Sequence, residues 1–314
     1  MPVRAFVFPG QGSQAVGMGQ DLARAFAPAR EVFEEVDEAL RSSLSRVMWE
    51  GPAETLTLTE NAQPALLAVS IAVIRTLQRE GGLDLARHAQ FVAGHSLGEY
   101  CALAAAGTFA LADAARLLRL RGQAMQKAVP AGDGAMAALL GAELETARAI
   151  AAEAAEDQVC SVANDNGGGQ VVLSGHTEAI ERAIALAPAK GVKRAMKLPV
   201  SAPFHCALMA PAAEVMAGAL AQVAMAPPAV PVVANVTAEA TADPIEIRGL
   251  LVEQVTALVR WRECVQAMKR GGADTLVECG AGKVLSGLSR RIDPELATAA
   301  VGTPSELEAF LKTL

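Results

Sequence analysis

The sequence predicts an α/β protein, and three observations carry that prediction. Strand-like and helix-like segments alternate along most of the chain, a pattern that makes a parallel sheet covered by helices on both faces. A G-x-S-x-G pentapeptide, Gly94-His95-Ser96-Leu97-Gly98, lies between a short apolar run and a helical one, the strand-turn-helix setting of a nucleophile elbow. Between residues 135 and 198 the order changes to β-α-β-β-α-β, the split unit of ferredoxin-like lobes. The expected architecture is therefore an α/β-hydrolase-like parallel sheet with an inserted ferredoxin-like subdomain.

Taken in order, Arg4–Phe8 is an apolar first strand, and Pro9-Gly10-Gln11-Gly12-Ser13-Gln14 after it is a permissive loop. It lacks the Gly-Lys-Ser/Thr of a phosphate loop. Leu22, Phe26, Phe33, Val36 and Leu40 share one face of a helix over 22–40. Past Gly51-Pro52, Asn61-Ala62-Gln63-Pro64 leads into 65–77, which is apolar on nearly every side and so a buried helix. The elbow strand over 90–93 and a helix from Glu99 follow, then a helix over 111–129 bearing Arg116, Arg119 and Arg121. Arginines on helices are ordinarily solvated.

In the inserted unit the strands are 135–140, 159–163, 170–174 and 192–198, with helices at 143–155 and 178–187. The stretches 130–134 and 198–201 are natural crossings between lobes. The large domain is then discontinuous, 1–132 with 197–314, around a lobe of 133–196. Beyond it lie Ala202-Pro203-Phe204-His205-Cys206, a helix over 208–223 and a strand over 230–236. Helices through 250–259 and 265–269, a strand at 275–278, a helix at 284–291, a strand at 298–302 and a helix from Ser305 complete the chain. Cys279-Gly280-Ala281-Gly282-Lys283 has Val284 where a nucleotide loop needs Ser or Thr, and reads as a structural turn.

Composition bounds the function. A chain of 314 residues, 52% hydrophobic and 19% charged, has the length of about two domains and a large core. Its apolar stretches are interrupted before the roughly eighteen residues of a membrane span, and Met1-Pro2-Val3-Arg4 enters a strand without the features of a signal peptide. A cytoplasmic protein without membrane contact is expected. The five cysteines are odd in number, and none are spaced C-x-x-C, so they read as reduced and mostly buried. A net charge of −7 and the absence of aromatics interleaved with basic residues exclude a nucleic-acid partner.

The elbow carries the chemistry. Its glycines allow a strained turn that lifts the Ser96 hydroxyl above the sheet edge, at a helix N-terminus where the Leu97 amide faces charge developing on an attacked carbonyl. A serine hydroxyl also needs a base, and there are four histidines. His88 precedes the elbow strand, His95 points away from the neighbouring hydroxyl, and His176 opens a lobe helix. His205 lies in a loop that can overhang the sheet edge, where it is either that base or a plain loop histidine.

Four motifs together make the chain resemble the malonyl-CoA:acyl carrier protein transacylases along its whole length. They are Phe8-Pro9-Gly10-Gln11-Gly12-Ser13-Gln14, Gly94-His95-Ser96-Leu97-Gly98-Glu99-Tyr100, Arg121-Gly122-Gln123-Ala124-Met125 and Pro203-Phe204-His205. The resemblance implies that Ser96 is acylated, that His205 is its base, and that Arg121 holds the malonyl carboxylate. It implies an oxyanion hole of the Gln11 and Leu97 amides, and a backbone carbonyl of Gln254 that orients His205. A role confined to that carbonyl would leave the Gln254 side chain dispensable. Asn164, Gln170 and Arg194 match positions near bound CoA in relatives, and Phe204 matches a bulky residue of malonyl-selective ones.

The implied reaction is ping-pong transfer of malonyl from malonyl-CoA to the phosphopantetheine thiol of an acyl carrier protein, in fatty acid or polyketide synthesis, with neither metal nor cofactor and by a monomer. A thioesterase would share the nucleophile, base and oxyanion hole but would need neither Arg121 nor the lobe. A catalytically dead carrier-binding module would not need both Ser96 and His205. Carrier proteins of this kind are usually acidic, so a basic patch is expected, from Lys190, Lys193 and Arg194 or from Lys283, Arg290 and Arg291.

Overall fold

The computed structural model describes residues 2–314. Among these, the strands in chain order are β1 (Arg4–Phe8), β2 (Phe91–Gly94), β3 (Gly134–Leu140), β4 (Cys160–Asp165), β5 (Gln170–His176), β6 (Arg194–Lys197), β7 (Val232–Val233), β8 (Ala240–Thr241), β9 (Thr275–Cys279) and β10 (Ala297–Val301). The larger sheet runs β10-β9-β1-β2-β7-β8. All its pairs are parallel except the β7–β8 edge. Phe8 is in register with Gly94, so the loops after β1 and β2 leave the same edge side by side. That carboxyl edge is where open α/β sheets bind ligands.

Every residue of β1 is buried, because helices cover both faces. Alternate residues serve opposite sides. Phe6, Phe8 and Val92 face a core shared with the helices Ala27–Leu40, Thr59–Gly81 and Leu111–Ala128. Ala5, Val7 and Ala93 face a second core built on the helices Trp261–Arg270 and Val284–Ile292. The lobe has a third core of its own, around Leu139, Ile150, Leu173 and Ile180. Its sheet is antiparallel in the order β4-β5-β3-β6, the ferredoxin-like arrangement, with helices Leu144–Ala155 and Thr177–Leu186 packed on it.

Four elements depart from the sequence expectation for local reasons. The helical face over 22–40 belongs to two helices, Gln20–Ala25 and Ala27–Leu40, because Phe26 is extended and Pro28 starts the second. The buried helix begins at Thr59 rather than after Pro64, and takes Asn61 and Gln63 into the core. β7 is two residues long instead of the span 230–236: Asn235 turns out of the sheet and the chain returns as β8. The helix expected over 250–259 is Pro244–Glu253, started by the Asp243 cap with proline at the first position.

That last shift places residues 254–259 in turns against the lobe. β4 reaches Asp165, and its end bonds to the main body through Asp165 N to Val259 O (3.0 Å) and Val259 N to Ala163 O (2.9 Å). Arg262 closes the contact on Asp165 at 2.7 Å. The lobe is thus tied to the segment that follows Gln254. Among the described residues no helix is long and apolar enough to cross a membrane.

Candidate active site

Ser96 stands between β2 and the helix Leu97–Ala105 with φ 54° and ψ −111°, a conformation a residue with a side chain holds only when its surroundings impose it. Close packing imposes it here. A Cβ on Gly94 would lie 1.9 Å from the Gly98 carbonyl carbon, and one on Gly98 would lie 2.2 Å from the Phe8 oxygen. Asn235 holds the turn from the side: its Nδ2 donates to Gly94 O (2.7 Å) and its Oδ1 accepts from Ser96 N (2.8 Å). Its own N–H donates to buried Glu99 (2.9 Å).

His205 arrives from the return crossing with φ 58° and is 4% exposed. Its Nε2 lies 2.7 Å from Ser96 Oγ and its Nδ1 2.8 Å from the Gln254 carbonyl oxygen. A carbonyl only accepts, so the proton sits on Nδ1 and the Nε2 lone pair faces the Ser96 hydroxyl. Burial, followed by the positive charge of Arg121, pulls the His205 pKa down to about 3. The resting imidazole is neutral.

Arg121 is 1% exposed, on the helix Leu111–Ala128. Its Nη1 donates to Gln63 Oε1 (2.8 Å), and its Nη2 donates to Gln254 Oε1 (2.9 Å) and to Ser96 Oγ (3.2 Å). Its Nε has no partner, and the guanidinium lies 5.7 Å from the centre of the Tyr100 ring. Gly122 permits this depth, since a Cβ there would meet Glu60 Cα at 2.5 Å. Gln63 in turn donates to Thr59 Oγ1 (2.9 Å), which donates to Gln11 Oε1 (2.9 Å). One hydrogen-bonded chain therefore links the loop after β1 to the arginine.

Gln254 does more than lend a carbonyl. Its side chain accepts from Arg121 and donates to Ser96 O (3.1 Å) and Glu99 (2.9 Å). These are contacts that a role confined to the carbonyl would not need, and they make the side chain the junction of the network. Glu99, 1% exposed, has its pKa raised to about 7 by burial, against the hydrogen bonds from Asn235 and Gln254.

The remaining candidates spread outward. Neither the Gln11 nor the Leu97 backbone N–H donates within the described residues, so both amides are free at the elbow. Phe204 is buried beside His205. Asn164 is buried in β4, two positions before Asn166, whose Oδ1 meets His95 Nε2 at 2.8 Å. Gln170 on the inner strand β5 and Arg194 on the edge strand β6 flank β3, each in register with Leu140. Four of the five cysteines are buried and all are free. Among the described residues no cluster of His, Cys, Asp or Glu could hold a metal ion.

Gln63, Thr59, Glu99 and Asn235 escaped the sequence reading as site residues. Glu99 alone carried a signal, as the carboxylate within the elbow motif; Thr59 and Gln63 sit in the unmarked first turns of a helix, and Asn235 is joined to the site by contacts across the chain.

A family model described as "Acyl transferase domain" matches residues 5–303. The malonyl CoA-acyl carrier protein transacylase of Escherichia coli K12 is 47% identical over 308 residues, covering 98% of each chain. The crystal structure of the acyl-carrier-protein-S-malonyltransferase from Bartonella henselae superposes with a TM-score of 0.97 at 55% identity, covering 99% of both chains. A type II PKS acyl-carrier protein has been solved in complex with its malonyl-transacylase, which is 43% identical with a TM-score of 0.96 and is covered from 99% of this chain to 100% of that one. On this identity, and with a serine elbow, a paired histidine and a buried arginine meeting at one oxygen, the chain belongs to the malonyl-CoA:acyl carrier protein transacylase family of acyl transferases.

Proposed function

We infer that this chain transfers malonyl groups from malonyl-CoA to the phosphopantetheine thiol of an acyl carrier protein, through a malonyl ester on Ser96, for fatty acid or polyketide synthesis. The observation that carries the reading is the convergence on Ser96 Oγ of His205 Nε2 at 2.7 Å and Arg121 Nη2 at 3.2 Å. The first supplies a base to the nucleophile, and the second supplies a fork for a carboxylate-bearing acyl group.

In the first half-reaction the Ser96 proton passes to His205 Nε2 as Oγ bonds the thioester carbon. The Gln254 carbonyl fixes the tautomer, and the negative oxygen leans on the free amides of Gln11 and Leu97. The C–S bond then breaks and His205 returns the proton to the CoA thiolate. The carrier's thiol repeats the sequence in reverse. A neutral carbonyl steadies the imidazolium less than the carboxylate of a hydrolase triad would. Protons and acyl group are fully accounted for by these residues, so the proposed reaction takes no metal and no cofactor. Phe204 beside His205 is proposed to crowd a 2-methyl branch, and Arg121 to reject acetyl groups. We further propose Asn164, Gln170 and Arg194 as CoA or pantetheine contacts and a cytoplasmic setting. We also propose the division into 1–132 with 197–314 and a 133–196 lobe, supported by the separate cores of the two sheets, with the lobe strand β6 running one residue past that boundary, to Lys197.

Intact-mass measurement after mixing with malonyl-CoA tests the reading. A stable malonyl adduct is expected on the wild type, none on Ser96→Ala, and one forming about a hundredfold to ten-thousandfold more slowly on His205→Ala. Turnover to free malonate without an adduct would mark a hydrolase instead.

A further inference from the structure

The resting site holds an unusual electrostatic arrangement. All three groups to which Arg121 donates, Gln63 Oε1, Gln254 Oε1 and Ser96 Oγ, are neutral. The carboxylate of this network, Glu99, is reached only through the Gln254 amide. A guanidinium that cannot deprotonate is therefore buried against the nucleophile with no counter-ion bonded to it. Its Nη2–H occupies a lone pair of the same oxygen that must give its proton to His205. Each proton transferred to His205 would place a second positive charge beside the first in a site shielded from water.

Nothing else facing His205 relieves this. The elbow contributes His95, its pKa lowered by burial, and Glu99, half neutralised near pH 7. The helix Leu111–Ala128 contributes Arg121, residues 254–257 contribute backbone only, and the neighbouring Cys206 has its pKa raised.

We propose that the acyl carboxylate is the switch of the Ser96–His205 pair: in pairing with Arg121 it takes the Nη2–H from Ser96 Oγ and cancels the charge that opposes proton transfer. This rests on Arg121 being the partner of the malonyl carboxylate. An acetyl thioester binds without throwing the switch, so discrimination falls on the chemical step as well as on binding. The proton still moves from Oγ to Nε2 and on to the leaving thiolate, and no other reactant is required.

Separating the carboxylate from the acyl group tests this. Wild-type enzyme is mixed with acetyl-CoA while formate replaces chloride at constant ionic strength, and single-turnover acetylation of Ser96 is followed by quenched intact mass. Formate is expected to accelerate acetylation saturably, by about tenfold, and to slow malonylation by competition. Arg121→Gln is expected to acetylate faster than the wild type and to ignore formate. In ¹³C-histidine NMR, simplified by a total of four histidines, the His205 signal is expected to titrate at higher pH with formate present. If formate slows malonylation but leaves acetylation and His205 unmoved, the switch is wrong while Arg121 remains the carboxylate's partner. If formate affects neither reaction and Arg121→Gln keeps the malonyl preference, the assignment of Arg121 itself falls, and the switch with it. The wild-type formate series and the His205 titration test the switch even if the variant does not fold: no acceleration of acetylation and no movement of His205 overturns it.

Discussion

Burial acts on two titratable residues of the site in opposite directions. His205 falls from 6.5 to about 3, chiefly by desolvation and then by Arg121, and Glu99 rises from 4.5 to about 7, chiefly by desolvation. A depressed histidine contributes stability that is present above pH 6.5 and lost as pH falls toward 3. A raised glutamate contributes stability that is full below pH 4.5 and lost as pH rises through 7. Between pH 4.5 and 6.5 the two slopes oppose each other. Glu99→Gln keeps an oxygen for Asn235 and Gln254 but removes the titration. Relative to this variant, the wild type is expected to lose about 3 kcal/mol of unfolding free energy between pH 4.5 and 8, read from urea titrations at several pH values. Parallel profiles for the two proteins would mean that Glu99 is charged throughout.

The elbow shows at the scale of elements how a strained turn is held. Ser96 keeps φ 54° between two glycines that admit no Cβ, and Asn235 binds the backbone leading into it at the Gly94 carbonyl and the Ser96 N–H. Asn235→Ala leaves the Ser96 N–H and the Gly94 carbonyl without this partner, at about 1–3 kcal/mol for each buried group left unsatisfied. A lower urea midpoint is expected together with slower malonylation at saturating malonyl-CoA. A lowered midpoint with wild-type malonylation would show that glycine packing alone fixes the turn. The elbow itself was legible in the sequence because its determinants are local: an apolar strand, two glycines, a helix. β7 was misjudged because Asn235 leaves the sheet for partners far earlier in the chain, Gly94 and Ser96. The pairing of His205 with Gln254 was reached only through family resemblance, since no periodicity or spacing brings those positions together. Gln63 and Thr59 were hidden inside a helix whose start before Pro64 the residue pattern did not mark.

For the whole molecule, the packing of lobe against body joins two patches that looked like alternatives in the sequence. Arg194 on β6 and Gln170 on β5 both lie opposite Leu140 of β3. Arg291, at the end of the helix Val284–Ile292 of the main body, reaches Gln170 Oε1 at 3.4 Å. Lys193, Arg194 and Arg291 thus approach one rim, and all are exposed, whereas Arg290 turns to Thr298 on β10 (2.8 Å). Lys190 and Lys283 are spent on Glu153 (2.7 Å) and Glu306 (2.6 Å). The β4 contact with Val259 and the Arg262–Asp165 pair hold the two halves of the rim in register. On a chain of net charge −7, such a rim would draw an acidic carrier to the site by steering, an effect that salt screens over a Debye length of about 10 Å at 0.1 M. Arg291→Glu is expected to raise the KM for the carrier about tenfold at low salt, with the difference shrinking as salt rises. Malonyl-Ser96 formation from malonyl-CoA is expected to stay within about twofold of wild type, since charges at an exposed rim act mainly on encounter. Lys283→Glu serves as the control, because its partner Glu306 already screens it. Carrier KM values for Arg291→Glu that match the wild type at both low and high salt would move the docking face to another part of the surface.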